Sequence, residues 1–412
     1  MGSRLNRIRL QRDSAVMATV RKRTWKSGGE VKTAWICDYI DQNGKRHIKT
    51  FSRQRDARDW LDQTTGEVRE GIHTPERQSI TVAEAAELWI ENAKLNEREK
   101  STLRQYRNHV DLHIAPRIGG VKLARLTSPM VVSFRDDLLR NVSRALARKV
   151  LASLKGILKH AQSAGLVAQN VAMPVKIDAN KREKPKLKVG RDIPSKREMQ
   201  AMLATASGRW RAFFITATFT GLRASELRGL PWENIDFERK VIHVCQRANL
   251  WGEIGPPKSE AGDREIPMSP MVVNALKEWR LACPKVTEKQ ADDSEISRLW
   301  LVFPNGNGNV ENHANIENRG FYPLQLAAGI TKLNSKKRDM DGNRVRKPKY
   351  SLHALRHFFA SWAIEQGFSP KRLQALLGHS SITMTYDRYG HLFPSPEDDH
   401  AKLAAGELAL AG

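Results

Sequence analysis

Residues 378–391, GHSSITMTYDRYGH, bring together the side-chain types of a nucleophilic site near the C-terminal end of the chain. The segment holds two tyrosines, two histidines and an arginine, and no apolar period accounts for them. A tyrosine in a folded domain ordinarily serves packing. A phenol flanked by imidazoles can instead act as a nucleophile whose proton a neighbouring base removes.

Three earlier segments carry further polar side chains that packing does not require. TGLRASEL contains Arg223 at a predicted helix start with Glu226 one turn later, and GPPKSEAGDREIPM contains Lys258 at the tip between two extended runs. SLHALRHFFASWAIEQG places His353 and Arg356 three residues apart, hence on one helix face. Taken singly, each has an ordinary explanation: a surface ion pair, a loop lysine or a polar helix edge.

Taken together, the four segments supply the groups of a phosphoryl-transfer site. Two guanidiniums can bind the nonbridging oxygens of a phosphodiester and stabilise the charge of the transition state. A tyrosine supplies the nucleophile, and histidines can assist its deprotonation. A lysine can protonate the departing sugar oxygen. Because a phosphotyrosyl bond conserves the energy of the bond it replaces, we expect no nucleotide cofactor and no metal. The sequence has neither a GxxxxGK[ST] loop nor a DxD-type carboxylate cluster.

A zinc site is the competing explanation for the histidines. His353, His357, His379 and His391 could form an all-histidine cluster. Their spacing matches none of the familiar zinc motifs, so phosphoryl transfer is the better interpretation.

Composition favours a polyanionic partner. The 412 residues include 69 Lys and Arg against 45 Asp and Glu, a net charge of +24. Lysine and arginine contacts to phosphates release condensed counterions, so this charge favours nucleic acid over a generic basic surface or a ribosome-associated protein. Three scattered cysteines without a CxxC pair suit a reducing cytoplasm. The sequence shows no apolar run of membrane-spanning length and no secretory signal at its N-terminus.

The N-terminal segment predicts a small basic sheet with one helix. TAWICDYID alternates, Asn43-Gly44 supplies a hairpin turn, RHIKTF resumes an extended run, and Ser52 opens the helix. β-ribbons of this kind can enter a DNA groove; the alternative is a solvated edge whose lysines oppose aggregation. The candidate DNA-binding residues on its strands and turns are Arg21, Lys22, Arg23, Lys26, Lys45, Arg46 and Lys49.

The following segments are mainly helical. Capping boxes at Thr81 and Ser195 open two of the helices, and VIHVCQ, REIPMS and LWLVFP predict extended runs in the last third. The predicted division is a flexible basic lead-in (1–19), a sheet with a helix (20–75), a helical bundle (79–174), a basic linker (175–192), a mixed helical domain with a small antiparallel sheet (193–395) and a C-terminal tail (396–412).

The four chemical segments resemble, in order and context, those of the tyrosine recombinase (phage integrase) family. That family orders its catalytic residues as Arg, Lys, His-x-x-Arg, His or Trp, and Tyr. Here TGLRASEL resembles the arginine box, PPKSEAGDREIPM the lysine hairpin, LHALRH the His-x-x-Arg box and LLGHSSITMTYDRYGHL the last box. The resemblance covers the whole chain. It implies a multidomain, mainly α fold: a β-ribbon plus helix arm-binding domain, a helical-bundle core-binding domain and a mixed α+β catalytic domain.

The resemblance also implies roles for individual residues. The implied catalytic set is Arg223, Lys258, His353, Arg356, His379 and Tyr389. Its two arginines would clamp the phosphate, its histidines would orient groups and shuttle protons, and its lysine would act as general acid. Glu226 would support Arg223. Lys240, close to an extended run, is the alternative to Lys258.

The choice of nucleophile rests on local context. The family's tyrosine follows the LGH histidine and precedes a small residue and a histidine, which fits Tyr389 before Gly390-His391. The gap from His379 to Tyr389 is one residue longer than in many relatives. Tyr386, one turn earlier, is therefore the alternative.

The implied activity is site-specific DNA recombination without metal or ATP. Tyr389 would form a 3′-phosphotyrosyl link, and the freed 5′-hydroxyl would attack a partner duplex, integrating or excising a phage or mobile element. The implied partners are double-stranded DNA at core and arm sites, further copies in a homotetramer, and accessory bending or directionality proteins, all in the bacterial cytoplasm and nucleoid. The tail, with an apolar face of Leu403, Leu408 and Leu410, would dock on a neighbouring protomer, pack in cis or stay frayed.

Three other activities remain open at this stage. A Xer-like resolving recombinase and a type IB topoisomerase would use the same chemistry, and a non-catalytic DNA-binding protein could retain the scaffold. The arm-like N-terminal segment favours an integrase.

Overall fold

The computed structural model describes residues 18–28, 30–41, 44–71, 73, 79–178, 186–289, 295–338, 340–393 and 399–411. The chain forms two compact units, residues 1–181 and 182–412. Nearly all of the predicted lead-in, Asn43 of the predicted turn and the middle of the predicted linker lie outside the described residues. No helix within the described ranges is long and apolar enough to cross a membrane.

The first unit begins with the predicted small sheet and its helix. Strands β1 (Thr19–Ser27), β2 (Glu30–Ile40) and β3 (Arg46–Phe51) form an antiparallel sheet, and helix α1 (Gln54–Arg69) follows. The alternation of TAWICDYID places Cys37 and Tyr39 against α1, where both are buried. The predictions of two paired extended runs and a helix are confirmed.

The register of this sheet separates the candidate DNA-binding residues. Arg21 lies opposite Ile36 and Arg23 opposite Ala34, whereas Lys49 lies opposite the buried Cys37. The ammonium of Lys49 sits 4.6 Å from the ring centroid of Trp60 on α1. Lys49 is therefore half-buried on the helix-covered side of the sheet.

The rest of the first unit is a helical bundle. Its apolar stripes, among them that of the sequence ARKVLASLKGILKHAQ, meet in one buried cluster. The Thr81 capping box is present. The helices are α2 (Val82–Leu95), α3 (Lys100–His109) continuing through a π-helical turn (Val110–Ile114) into α4 (Ala115–Ile118), α5 (Ser128–Asn141) and α6 (Arg144–Ser163).

The second unit is also mainly helical, and the Ser195 capping box opens its first helix. Its helices are α7 (Lys196–Thr205), α8 (Gly208–Thr220), α9 (Ala224–Arg228), α10 (Pro270–Ala282), α11 (His313–Asn315) leading through a π-helical turn (Ile316–Phe321) into α12 (Tyr322–Ala327), α13 (His353–Glu365), α14 (Pro370–Leu377), α15 (Ile382–Tyr389) and α16 (Asp399–Ala411).

Small antiparallel sheets complete this unit. Strands β4 (Ile235–Asp236), β5 (Val241–Val244) and β8 (Arg264–Pro267) form the sheet expected from VIHVCQ and REIPMS. Three hairpins add the pairs β6 (Arg247–Ala248) with β7 (Ile254–Gly255), β9 (Val286–Lys289) with β10 (Glu295–Arg298), and β11 (Thr331–Arg338) with β12 (Arg344–Pro348).

LWLVFP, predicted as an extended run, does not pair as a strand. Leu301 and Pro304 form only isolated bridges, to Pro231 and Val310, although Leu301 and Val302 are fully buried. The backbone here is satisfied by irregular partners: the Val302 amide donates to the Leu230 carbonyl, and the Trp279 indole donates to the Val302 carbonyl. A short apolar run therefore indicated burial but not conformation.

The packing of α13 on α8 positions two of the chemical segments. Phe219 near the end of α8 and Trp362 on α13 meet edge to face at 5.6 Å. Gly221 ends α8 in a left-handed conformation, and a Cβ there would lie 2.3 Å from Phe359. Only glycine fits both requirements, so the turn before Arg223 lies directly against α13.

Candidate active site

A cavity of about 560 Å³ in the second unit is lined by the polar residues of the separated segments. Five of the six predicted catalytic residues line it: Arg223, His353, Arg356, His379 and Tyr389. Lys186, His357 and Arg388 also line the cavity, and Asp387 is its one lining carboxylate among the described residues. The cavity is strongly cationic, as an anion-binding site requires.

The α9 end of the cavity is organised by a carboxylate between two arginines. Glu226 is 3% exposed and accepts a hydrogen bond from Arg223 Nη1 at 2.7 Å. Arg264 on β8 donates to both of its oxygens, at 3.2 and 3.0 Å. Burial alone would raise the pKa of Glu226, but the charge and hydrogen bonds of Arg264 and the charge of Arg223 outweigh it and lower the pKa to about 2. Glu226 is therefore an ionised support for Arg223.

Two backbone carbonyls fix the position of the Arg356 guanidinium. Its Nη1 donates to the Gly221 carbonyl at 2.8 Å and its Nη2 to the Leu377 carbonyl at 2.5 Å, and the residue is 3% exposed. Burial, together with the charge of Arg223, lowers the pKa of Arg356 to about 9. A cation in this position lacks a direct carboxylate bond and gains stability from a bound anion.

Gly378 lies where the segments that carry Arg223 and Arg356 meet α14. It ends α14 with a φ of +61°, and its carbonyl accepts a hydrogen bond from Arg223 Nη2 at 3.0 Å. A Cβ at this position would lie 2.8 Å from the Ala261 carbonyl oxygen and 2.9 Å from Arg264 Nη1. Both the backbone conformation and the close approach therefore require glycine.

Substituting Gly378 by alanine is expected to lower the free energy of unfolding by about 3 kcal/mol, since left-handed strain adds to the contact with a fixed carbonyl. The matched control is Gly329→Ala, where φ is +72° but a Cβ meets nothing within 4 Å. This control should lose only about 1 kcal/mol. Denaturant unfolding of both variants measures the difference, and equal losses would contradict the contact argument.

Three imidazoles in the cavity are held neutral by their surroundings. Burial and the charge of Arg356 lower the pKa of His379 to about 4, and its Nδ1 lies 2.9 Å from the Thr385 hydroxyl. His353 keeps an exposed edge, yet the partial desolvation of its ring and Arg356 lower its pKa to about 4. Burial and the neighbouring His353 lower the pKa of His357 to about 3. These lowered pKa values favour the neutral rings at neutral pH and make each of them a weak base.

The two candidate tyrosines lie in different environments. Tyr389, the last residue of α15, is 1% exposed, whereas Tyr386 is 52% exposed and does not line the cavity described above. The Tyr389 hydroxyl and His357 Nδ1 are hydrogen-bonded at 2.8 Å. Burial raises the pKa of Tyr389, and the charges of Arg356 and Arg388 partly offset this. Of the two tyrosines, Tyr389 is therefore the one whose side chain lines the cavity.

Sequence reasoning assigned no catalytic role to His357 or to Arg388. His357 lies one turn after His353, and the two rings meet at 4.6 Å, so helical spacing was the available signal. Arg388 directly precedes Tyr389, and nothing in its spacing distinguishes it from a surface arginine. Arg264 lay inside the DREIPM segment already singled out, but only the fold reveals its bond to Glu226.

Lys258 is the predicted catalytic residue that the fold leaves outside the cavity. It is exposed on the loop between β7 and β8, and it is not among the described residues that line the cavity. Lys240 is also exposed, at a turn with a φ of +54° between β4 and β5. The cavity geometry does not choose between these two lysines.

The four histidines of the alternative zinc cluster do not all lie in one place. His391 Nε2 lies 2.8 Å from the Leu187 carbonyl, and His391 does not line the cavity with the other three. In the described part of the chain, no group of three or more His, Cys, Asp or Glu side chains is placed to hold a metal ion.

Two family matches cover most of the chain. Residues 195–395 match the phage integrase family, and residues 82–177 match the phage integrase central domain. A XerC-like tyrosine recombinase of Caldanaerobacter subterraneus is 24% identical over 393 residues, covering 90% of this chain and 94% of the relative. An integrase of Streptomyces ambofaciens is 23% identical over 389 residues, covering 90% and 93%.

Solved structures share the fold. The Tn1549 transposon integrase in complex with transposon right-end DNA aligns with a TM-score of 0.60 at 21% identity, covering 80% of this chain and all of that one. A lambda integrase tetramer bound to a Holliday junction aligns with a TM-score of 0.51 at 17% identity, covering 85% of this chain and 92% of the other.

Proposed function

Since this chain belongs to the phage integrase family of tyrosine recombinases, we propose which of its residues cut and rejoin DNA for a mobile element. The proposal rests on one observation: Arg223, His353, Arg356, His379 and Tyr389, from three separate segments, line a single cationic cavity. The cavity suits a phosphodiester, because two guanidiniums supply paired donors and the imidazoles are neutral.

Strand cleavage then proceeds as a balanced exchange of two phosphorus–oxygen bonds. The Tyr389 oxygen attacks the phosphorus held by Arg223 and Arg356, a 3′-phosphotyrosyl bond forms, and the bond to the 5′ oxygen breaks. That oxygen leaves as a hydroxyl after taking a proton. Attack by a 5′-hydroxyl of the partner duplex on the phosphotyrosine reverses the exchange and releases Tyr389. The energy of the phosphodiester is retained throughout.

His357 is the acceptor for the Tyr389 proton in this scheme. It is the side chain bonded to the reacting oxygen, at 2.8 Å, and neutral Nδ1 can accept when the ring proton is on Nε2. Burial first, then the neighbouring His353 and the charges of Arg388 and Arg356, lower the pKa of His357 and disfavour its protonation in the free protein. A bound phosphate offsets those charges and strengthens the base, so cleavage is coupled to DNA binding.

The variant His357→Gln is expected to form the covalent adduct about 100-fold more slowly at pH 7, the scale of a lost general base. Its rate should also rise about tenfold per pH unit from pH 6 to 9, because hydroxide must then ionise Tyr389, whereas the wild-type rate stays flat. Single-turnover cleavage at several pH values measures this. His391→Gln, outside the cavity, is the control; a flat profile for His357→Gln would contradict the assignment.

The general acid for the 5′ oxygen is proposed to be Lys258, with Lys240 as the alternative. Because Lys258 is exposed on its loop outside the cavity lining, this role requires the β7–β8 loop to approach the phosphate. Glu226 holds Arg223 in place and takes no proton, as its lowered pKa indicates.

The proposed assembly is a homotetramer on two duplexes in the bacterial cytoplasm and nucleoid. Its two supports are the net charge of +24 and the fold shared with a lambda integrase tetramer on a Holliday junction. Residues 79–174 would hold the core site and residues 20–75 the arm site, with Arg21, Arg23 and Arg46 exposed for contact. The exposed Leu403, Leu408 and Leu410 of α16 would dock on a neighbouring protomer.

The covalent adduct tests this function. Wild-type protein is incubated with nicked duplexes carrying the element's end sequences, in EDTA and without nucleotide, and is run on a denaturing gel. A DNA-linked protein band is the expected result. Tight binding without any band would instead favour a non-catalytic DNA-binding protein. Transfer of the cleaved strand to a second duplex distinguishes recombination from relaxation of the topoisomerase type.

A further inference from the structure

The hairpin formed by β11 and β12, residues 331–348, is strongly basic and ends five residues before α13. Within it, seven Lys and Arg residues stand against two Asp residues. Arg338, Arg344 and Arg346 are exposed, and Lys347 is half-buried. We call this hairpin the basic ribbon. Neither the sequence motifs nor the catalytic scheme uses it.

Like charges face one another across the two strands of the basic ribbon. Lys332 lies directly opposite Lys347, and Arg338 lies directly opposite Arg344. Directly opposite like charges destabilise an antiparallel pair. A hairpin that served only to cover the surface would gain stability from mixed charges, so the repeated repulsion indicates that an anion is accommodated there.

The base of the basic ribbon is fixed to the core beside the helix that carries His353 and Arg356. Lys349, which follows β12, bonds to Glu198 at 2.6 Å, and the Tyr350 hydroxyl donates to the same carboxylate at 2.8 Å. The Tyr350 backbone forms two hydrogen bonds with the fully buried Gln325 side chain, at 2.8 and 3.0 Å. These bonds fix the end of β12 to the core, and α13 begins five residues after that end.

We propose that the basic ribbon binds the phosphate backbone of double-stranded DNA flanking the phosphate that is cut. The occupant follows from charge and from position: the cations of the ribbon suit a polyanion, and the ribbon ends five residues before α13, whose His353 and Arg356 line the cavity. This inference rests on the proposed function, since it takes the DNA in the cavity as its ligand. The ribbon acts on affinity, and the chemistry stays with the cavity residues.

The test removes one cation from each like-charged pair. In the described part of the chain, the side chains of Arg344 and Lys347 make no hydrogen bond or ion pair, so Arg344→Gln with Lys347→Gln should leave the fold intact. Relief of repulsion should hold the melting temperature constant or raise it. The matched control is Lys277→Gln with Arg280→Gln on α10, which removes the same charge from exposed positions elsewhere in the unit.

Binding to a core-site duplex is measured between 50 and 300 mM salt. For the ribbon variant we expect roughly tenfold weaker binding, and a slope of log affinity against log salt smaller in magnitude by about 2, as for two lost phosphate contacts. The control should change both quantities less. A slope equal to that of the wild type, or an equal change in the control, would overturn the proposal.

The same samples separate this proposal from the proposed function. Covalent adduct formed by the wild type on the nicked duplex tests the chemistry independently of the ribbon. At saturating protein, the ribbon variant should cleave at the wild-type rate. An adduct in the wild type with unchanged salt dependence in the ribbon variant overturns only the ribbon's role. Absence of the adduct in the wild type overturns the proposed function.

Discussion

Replacing Tyr389 by phenylalanine is expected to abolish covalent adduct formation, a fall on the order of 1,000-fold or more, because no other cavity group can take the place of the phenol oxygen. DNA binding should stay within about threefold, since the phenol is buried against His357 and makes no contribution to the exposed surface. Stability should fall by about 1 kcal/mol, since buried His357 loses its partner. Denaturing gels and binding curves on the same duplex measure these effects.

The control for this prediction is the neighbouring tyrosine. Tyr386→Phe removes an exposed hydroxyl three residues earlier on α15, and we expect full adduct formation. Loss of the adduct in Tyr386→Phe with retention in Tyr389→Phe would move the nucleophile by one helical turn. That outcome would require α15 to rotate on DNA binding.

Replacing Arg223 by alanine is expected to slow cleavage by about 100- to 1,000-fold, the range for removing one donor from a developing oxyanion. The fold should be retained, because Glu226 stays paired with Arg264 at 3.0 Å after Arg223 is gone. Affinity should change much less than rate, because the contact strengthens as charge develops. Single-turnover cleavage at saturating protein isolates this step.

Arg211→Ala is the matched control for Arg223→Ala. Arg211 lies on α8, is exposed, and pairs with Glu278 at 3.1 Å, an interaction of small energetic value. It removes the same charge from the same unit without touching the cavity. A similar loss of rate in both variants would show that Arg223 acts through overall charge and would contradict its role as a clamp.

Local patterns predicted the elements that position the site. The capping boxes at Thr81 and Ser195 opened helices where expected, since their signal is contained in four consecutive residues. The spacing of His353 and Arg356 was enough to place both on one side of α13, where they line the cavity. The segments that carry these residues are short, and each contains its own helix or turn signal.

Long-range contacts escaped prediction because no local pattern encodes them. The bond between His357 and Tyr389 joins residues 32 positions apart, and that between Arg264 and Glu226 joins residues 38 apart. The basic ribbon lacks alternation in its sequence, so TKLNSKKRDMDGNRVRKP reads as a polar loop. LWLVFP shows the converse: an apolar run that is buried without pairing as a strand.

In the proposed mechanism, the cavity keeps the Tyr389 phenol inert until DNA binds. Burial first, and then neighbouring rings and arginine charges, lower the pKa of all three cavity imidazoles, so His357 is a weak proton acceptor in the free protein. A phosphate between Arg223 and Arg356 supplies the missing negative charge and raises the basicity of His357. Binding and nucleophile activation are thereby joined through electrostatics.

The most direct test of this account is to locate the nucleotide on the protein. The covalent adduct is trimmed with nuclease, digested with trypsin and examined by mass spectrometry. Cleavage after Arg372, Arg388 and Lys402 puts the two tyrosines on different peptides, residues 373–388 for Tyr386 and residues 389–402 for Tyr389. The account predicts nucleotide mass on peptide 389–402, at Tyr389. Nucleotide mass on peptide 373–388, or on neither peptide, would contradict it.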